Sequence, residues 1–94
     1  MAGKSLKCAK ASVEVFRHMR DIERYIKDPD YSKDAIQRNL KDLKEEYIKD
    51  MEEDCGQKLF KMKKNATLAW KAKSKRDQIK YLNATERSFW SVLK

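Results

Sequence analysis

The sequence predicts an all-α protein, a small helical bundle built on an antiparallel helical hairpin. Three observations carry that prediction. Apolar residues recur at steps of three and four, the spacing of helix faces that pack on other helices. Only two glycines and one proline interrupt 94 residues, so turns are few. No segment shows the apolar–polar alternation of a half-buried strand. The length suits one domain rather than two.

The first helix is expected over about residues 6–27, where Val15, Met19, Ile22 and Ile26 step by four, three and four. The second is expected over about 32–55, where Ile36, Leu40, Leu43 and Tyr47 repeat the same steps. Between them lies KDPDYS. Pro29 cannot occupy a helix interior, and Asp28, Asp30 and Ser32 are competent N-caps. A short turn therefore joins two antiparallel helices.

Facing residues of an antiparallel pair have a constant index sum. Val15 with Tyr47, Met19 with Leu43, Ile22 with Leu40 and Ile26 with Ile36 all sum to 62. The same register puts Cys8 opposite Cys55 at the open end of the hairpin, where a disulfide is geometrically possible. The alternative, preferred for a reducing compartment, is two buried thiols.

Gly56 reads as a helix terminator, and Asp54 with Gln57 as a capping pair for a new helix. A third helix is expected over about 57–81, with Leu59, Met62, Ala66, Ala69 and Trp70 on its apolar side. Beyond Lys71 the stripe fades until Ile79 and Leu82. Asn83 with Glu86 resembles a capping box, which predicts a short fourth helix over 83–94 carrying Phe89, Trp90 and Leu93.

Composition narrows the function. Apolar residues make up 40% of the chain and charged residues 40%, against about 45–50% and about 25% in typical globular domains. The core is thin, so the helices are simple or some apolar surface awaits a partner. The net charge is +8, and its distribution is uneven. Residues 1–30 carry seven bases and five acids, residues 31–60 six and eight, and residues 61–94 ten and two. Lys58, Lys61, Lys63, Lys64, Lys71, Lys73, Lys75, Arg76 and Lys80 face only one acid of their own segment, Asp77. Lysines contact phosphates without regard to sequence and in a salt-dependent way. Trp70 among them could stack on a base. These ten residues form the candidate nucleic-acid site, for DNA, RNA or another acidic macromolecule. A single arginine among them argues for backbone rather than base recognition. The competing reading is a solvated helix face.

The rival function is a helical adaptor or accessory subunit that docks on a protein partner. Phe16, Tyr25, Ile48, Phe60, Leu68, Phe89 and Trp90 lie off the matched layers, and any left exposed would anchor a partner. Phe89 and Trp90 are the candidates preferred here. VFRHM at Val15–Met19 resembles, in degenerate form, the first-helix motif of the mitochondrial LYR-motif proteins, and YSKDAIQRNLK is loosely similar to their second helix. Val15 and Phe16 stand where that family has leucine and tyrosine; Arg17 matches. The resemblance covers about half the chain. It implies a small, basic, mostly three-helix protein that serves as an accessory or assembly factor.

No enzyme is predicted. His18 is the one histidine, and no nucleophile–base set or paired acids in an apolar setting appear. Cys8, Cys55 and His18 fit no zinc spacing, so neither metal nor cofactor is expected. AGKS lacks the upstream glycine and strand of a phosphate-binding loop. No apolar run reaches the roughly 18 residues of a membrane span. The first twenty residues lack a secretory apolar block, and their excess of bases is mildly like a mitochondrial presequence. An intracellular setting, nuclear or cytoplasmic, is expected, with mitochondria as the alternative. Asn-Ala-Thr at Asn65 and Asn83 matches glycosylation acceptors, idle without a secretory route; the second is expected at a helix start.

Overall fold

The computed structural model describes residues 6–93; the AGKS segment lies outside the described residues. All described secondary structure is helical. Helix α1 spans Leu6–Lys27, α2 Lys33–Asp42, a π-helical segment Leu43–Ile48, α3 Lys49–Cys55, α4 Phe60–Lys71 and α5 Lys75–Leu93. The segment from α2 to α3 is continuous, so the described residues form four helical rods. They fill an envelope of 45 × 20 × 19 Å.

The turns set an up-down-up-down order. After α1, Asp28 Oδ1 accepts the Asp30 N–H, and Ser32 caps α2 by accepting from the Ala35 N–H at 3.0 Å. This is local hydrogen bonding by Asp and Ser, the chemistry that favours these residues at turns and caps. At the far end Gly56 takes a left-handed conformation, φ 60°, which glycine adopts without the Cβ penalty. The Gln57 N–H then reaches back to the Glu52 carbonyl, closing the end of α3. Two bonds tie the end of α4 to the start of α2: Gln37 Nε2 donates to the Ala72 carbonyl, and Lys33 Nζ to the Lys73 carbonyl, both at 3.2 Å. Lys75 Nζ donates to the Asp28 carbonyl at 2.9 Å, tying the start of α5 to the end of α1. Each rod thus runs antiparallel to the one it adjoins, in a closed four-helix arrangement.

The hairpin residues form the core. Val15, Met19, Ile22, Ile26, Ile36, Leu40 and Leu43 are all buried. Tyr47 is the exception among the eight, being only partly buried. The π-helical segment inserts a residue after Leu43, so the apolar stripe steps to Ile48 and Met51, both fully buried. Tyr47 is turned to the flank, where its ring stacks on His18 at 4.0 Å and 6°. His18 Nε2 meets the Asn39 carbonyl at 3.1 Å. Cys8 and Cys55 are disulfide-bonded, with Cα atoms 4.6 Å apart, rather than held as two thiols.

The second half departs from the expected boundaries. The third rod does not run from 57 to 81, and the fourth is not a short helix starting at Asn83. Helix α4 ends at Lys71, Ala72 is extended with ψ 144°, and α5 begins at Lys75. The Ser74 hydroxyl accepts from the Asp77 N–H at 3.2 Å, an N-cap with an acid three residues on. Asn83 lies exposed inside α5. The buried side of α5 is Gln78, Leu82, Thr85 and Phe89, a helical stripe half of whose members are polar, which is why its apolar pattern fades in the sequence. Gly56 does separate the second rod from α4. The N-cap of α4 is Leu59 rather than Asp54, and it makes no side-chain cap bond.

Candidate nucleic-acid interface

The nine bases of the 58–80 segment do not share one helix or one role. Lys63 leaves the set. Its ammonium donates to Glu52 Oε1 at 3.1 Å, while Glu52 Oε2 accepts from the Leu59 N–H at 2.8 Å. Glu52 is only 11% exposed. Burial alone would raise its pKa. The Leu59 and Lys63 hydrogen bonds and the charges of Lys63 and Lys58 outweigh burial, and the carboxyl is held below its ordinary value. Lys75 also leaves the set, spent on the Asp28 carbonyl. Trp70 turns toward α2 and the π-helical segment, whose Lys41 and Lys44 lie 5.5 and 5.8 Å from its ring centroid. It is partly buried between helices and is not an open stacking platform.

The remaining bases fall on the outward side of the α4–α5 hairpin. On α4 the exposed residues Lys61, Lys64, Leu68 and Lys71 step by three, four and three, one face of a helix. On α5 the exposed residues Arg76, Lys80, Asn83 and Arg87 step by four, three and four. The helices are antiparallel, and Asn65 Nδ2 donates to Ser88 Oγ at 3.3 Å across them. That register brings Lys64 within one helical turn of Arg87 and Lys71 within one turn of Lys80. Lys58 and Lys73 are exposed in the flanking loops. Sequence reasoning misses Arg87 because it lies beyond the dense basic run. Its helical spacing from Arg76 and Lys80 is the signal that finds it, once α5 is known to start at Lys75.

At one end the two stripes enclose a groove of about 730 Å³. Lys58, Lys61, Lys64 and Arg87 line it together with Phe60, Asn65, Ser88 and Ser91, and no described acidic residue does. Helix α4 starts here, so the positive end of its dipole adds to the field. A second cluster of Lys71, Lys73, Arg76 and Lys80 surrounds the α4–α5 turn, roughly 17 Å away by helix rise.

The opposite charge collects elsewhere. Glu14, Glu45, Glu46, Asp50 and Glu53 border a groove beside Tyr47, on α1, the π-helical segment and α3. The described residues contain no group of acids, histidines and cysteines suited to hold a metal. No helix among them is long and apolar enough to cross a membrane.

The aromatic candidates divide. Phe89 is 2% exposed and belongs to the core, so it is not a free anchor. Trp90 is 48% exposed. It packs edge-on against Phe16 at 5.6 Å and Phe89 at 5.1 Å, and Arg20 covers the Phe16 ring at 5.0 Å. Of the glycosylation-like triplets, Asn65 is engaged with Ser88 and Asn83 is exposed. Comparison of the chain with protein-family models, with curated proteins and with solved structures returned no match.

Proposed function

We propose that the protein is a non-enzymatic binder of nucleic-acid backbone and that the outward face of the α4–α5 hairpin is its contact surface. One observation supports this above the rest: two exposed helical stripes, from different helices, converge with cations at six of their eight positions and no acid among them. A cationic field of this kind raises the local concentration of a polyanion. The contact residues are Lys58, Lys61, Lys64, Lys71, Lys73, Arg76, Lys80 and Arg87; Lys63, Lys75 and Trp70 serve the fold. The Cys8–Cys55 bond favours a compartment more oxidising than the cytosol or nucleus.

The test is a titration of a fluorescent oligonucleotide at several salt concentrations. Each lost phosphate contact lowers the log–log salt slope by about one. Lys61→Ala, Lys64→Ala and Lys71→Ala together should flatten the slope by about two to three, whereas Lys63→Ala with Lys75→Ala should change it by less than about one. Equal effects of the two sets, or no binding at low salt, would overturn the proposal.

A second reading rests on the exposed Trp90 beside Phe16, an aromatic pair of the kind found at protein hot spots. Under it the protein is an adaptor or accessory subunit, the role implied by the LYR-like segment, whose Arg17 is exposed. Its signature is a partner lost on Trp90→Ala and indifferent to salt.

A further inference from the structure

We propose that the groove at the start of α4 is a single-strand site, in which Phe60 stacks on a base while Lys61, Lys64 and Arg87 hold the adjoining phosphates. This rests on the basic-face reading above and names its ligand.

Phe60 is 70% exposed, the most exposed aromatic side chain among the described residues. It is not loosely held. Leu59, its neighbour, is 2% exposed, and the Leu59 N–H is fixed by Glu52. The same Glu52 anchors Lys63, whose ammonium lies 5.9 Å from the Phe60 ring centroid. The ring is thus presented from a backbone position set by the core and by α3. A stacking platform requires this: a π-face in water on a backbone that loses little freedom on binding.

The surroundings match the rest of a nucleotide. Phe60 and Lys64 are four residues apart on one helix and so neighbours on its surface. Arg87 approaches from α5 across the groove. Asn65, Ser88 and Ser91 add neutral hydrogen-bonding groups to the lining, suited to a sugar or a base edge. No described carboxylate lines the groove to repel a phosphate. Arg87 is assigned to a phosphate and Asn65 is already bonded to Ser88, so stacking on Phe60 rather than bidentate reading of a base edge carries the base contact, and the site should tolerate any base. In a duplex the bases are stacked on one another and cannot reach Phe60. Duplex therefore has only the cations to bind.

The experiment measures binding of labelled oligothymidylate of about twenty nucleotides, a duplex of matching length and inorganic polyphosphate to the full chain. The variants are Phe60→Ala, Phe60→Leu and Lys61→Ala/Lys64→Ala/Arg87→Ala. Phe60→Ala should weaken oligothymidylate binding about five- to tenfold and change duplex and polyphosphate binding less than about twofold. Phe60→Leu, equally apolar but without a π-face, should behave as Phe60→Ala does. The triple variant should weaken all three ligands. Phe60→Ala binding oligothymidylate as tightly as the parent, or losing duplex equally, would overturn the stacking site. If the triple variant still collapses in that case, the basic face stands without it. If none of the three ligands binds at low salt, both fall.

Discussion

The molecule contains two antiparallel helical hairpins, and they use their surfaces differently. The first, α1 against the α2–α3 rod, is nearly balanced in charge. Apart from Ser12 it buries apolar layers, and it is closed by a disulfide. The second, α4 against α5, carries nearly all of the excess positive charge. Beside Met62, Leu82 and Phe89 it buries small alanines and two polar side chains, Gln78 and Thr85. The first hairpin holds the bundle together. The second is lodged against it and presents its charge outward. Under the proposed function, stability and binding fall to different halves of one short chain, and a substitution should affect one or the other according to the half it falls in.

The largest break should come from the clasp of the first hairpin. Cys8 and Cys55 are 47 positions apart, and the loop-entropy relation gives such a link about 4 kcal/mol. Chemical denaturation with and without a reductant should show a loss of that order, as should Cys8→Ser/Cys55→Ser. Next come the apolar layers. Leu40→Ala should cost about 2–5 kcal/mol in the same assay, while Lys64→Ala on the second hairpin should stay within about 0.5 kcal/mol. A Lys64→Ala cost comparable to that of Leu40→Ala would remove the division of labour.

Smaller effects sharpen the contrast. Gln78 is fully buried, and its Oε1 has no hydrogen-bond partner among the described residues. Its Nε2 reaches only the Lys33 carbonyl at 3.5 Å. Gln78→Leu removes an unsatisfied acceptor at little change in volume and should be neutral or stabilising by about 1 kcal/mol; a clear loss on thermal melting would show that the Lys33 bond matters. Ser74→Ala should cost about 1 kcal/mol through the lost N-cap of α5.

Glu52 joins the two hairpins and makes their junction sensitive to acid. Its folded-state pKa lies below the ordinary value of 4.5. Its contribution is therefore complete above that ordinary value and is lost as pH falls through the lower, folded one. The stability gap between the parent and Glu52→Gln should be constant at neutral pH and narrow below about pH 4.5. A gap that widens there would reverse the sign assigned to this carboxylate.

The first hairpin is legible in the sequence because each of its layers is apolar and its turn is spelled out by Asp28, Pro29 and Ser32. The exception is Tyr47, displaced by the π-helical insertion, for which no local residue gives a signal. The second hairpin is harder to read because the buried face of α5 alternates polar and apolar members. Gln78 and Thr85 hide the stripe, and Asn83 with Glu86 competes as a start signal with Ser74 and Asp77, the pair that the fold uses. The basic residues themselves are plain in the sequence. Their sorting is not, since Lys63 and Lys75 differ from Lys64 and Lys71 only in what the fold places beside them.

The most direct test compares two variants of equal charge. Lys61→Ala/Lys64→Ala/Arg87→Ala removes three cations from the second hairpin, and Lys7→Ala/Lys10→Ala/Lys49→Ala removes three exposed cations from the first. Nucleic-acid affinity of both is measured at one low salt concentration. The first variant should lose at least about tenfold, and the second less than about threefold. Equal losses would mean that net charge alone governs binding and that the α4–α5 face is not a site.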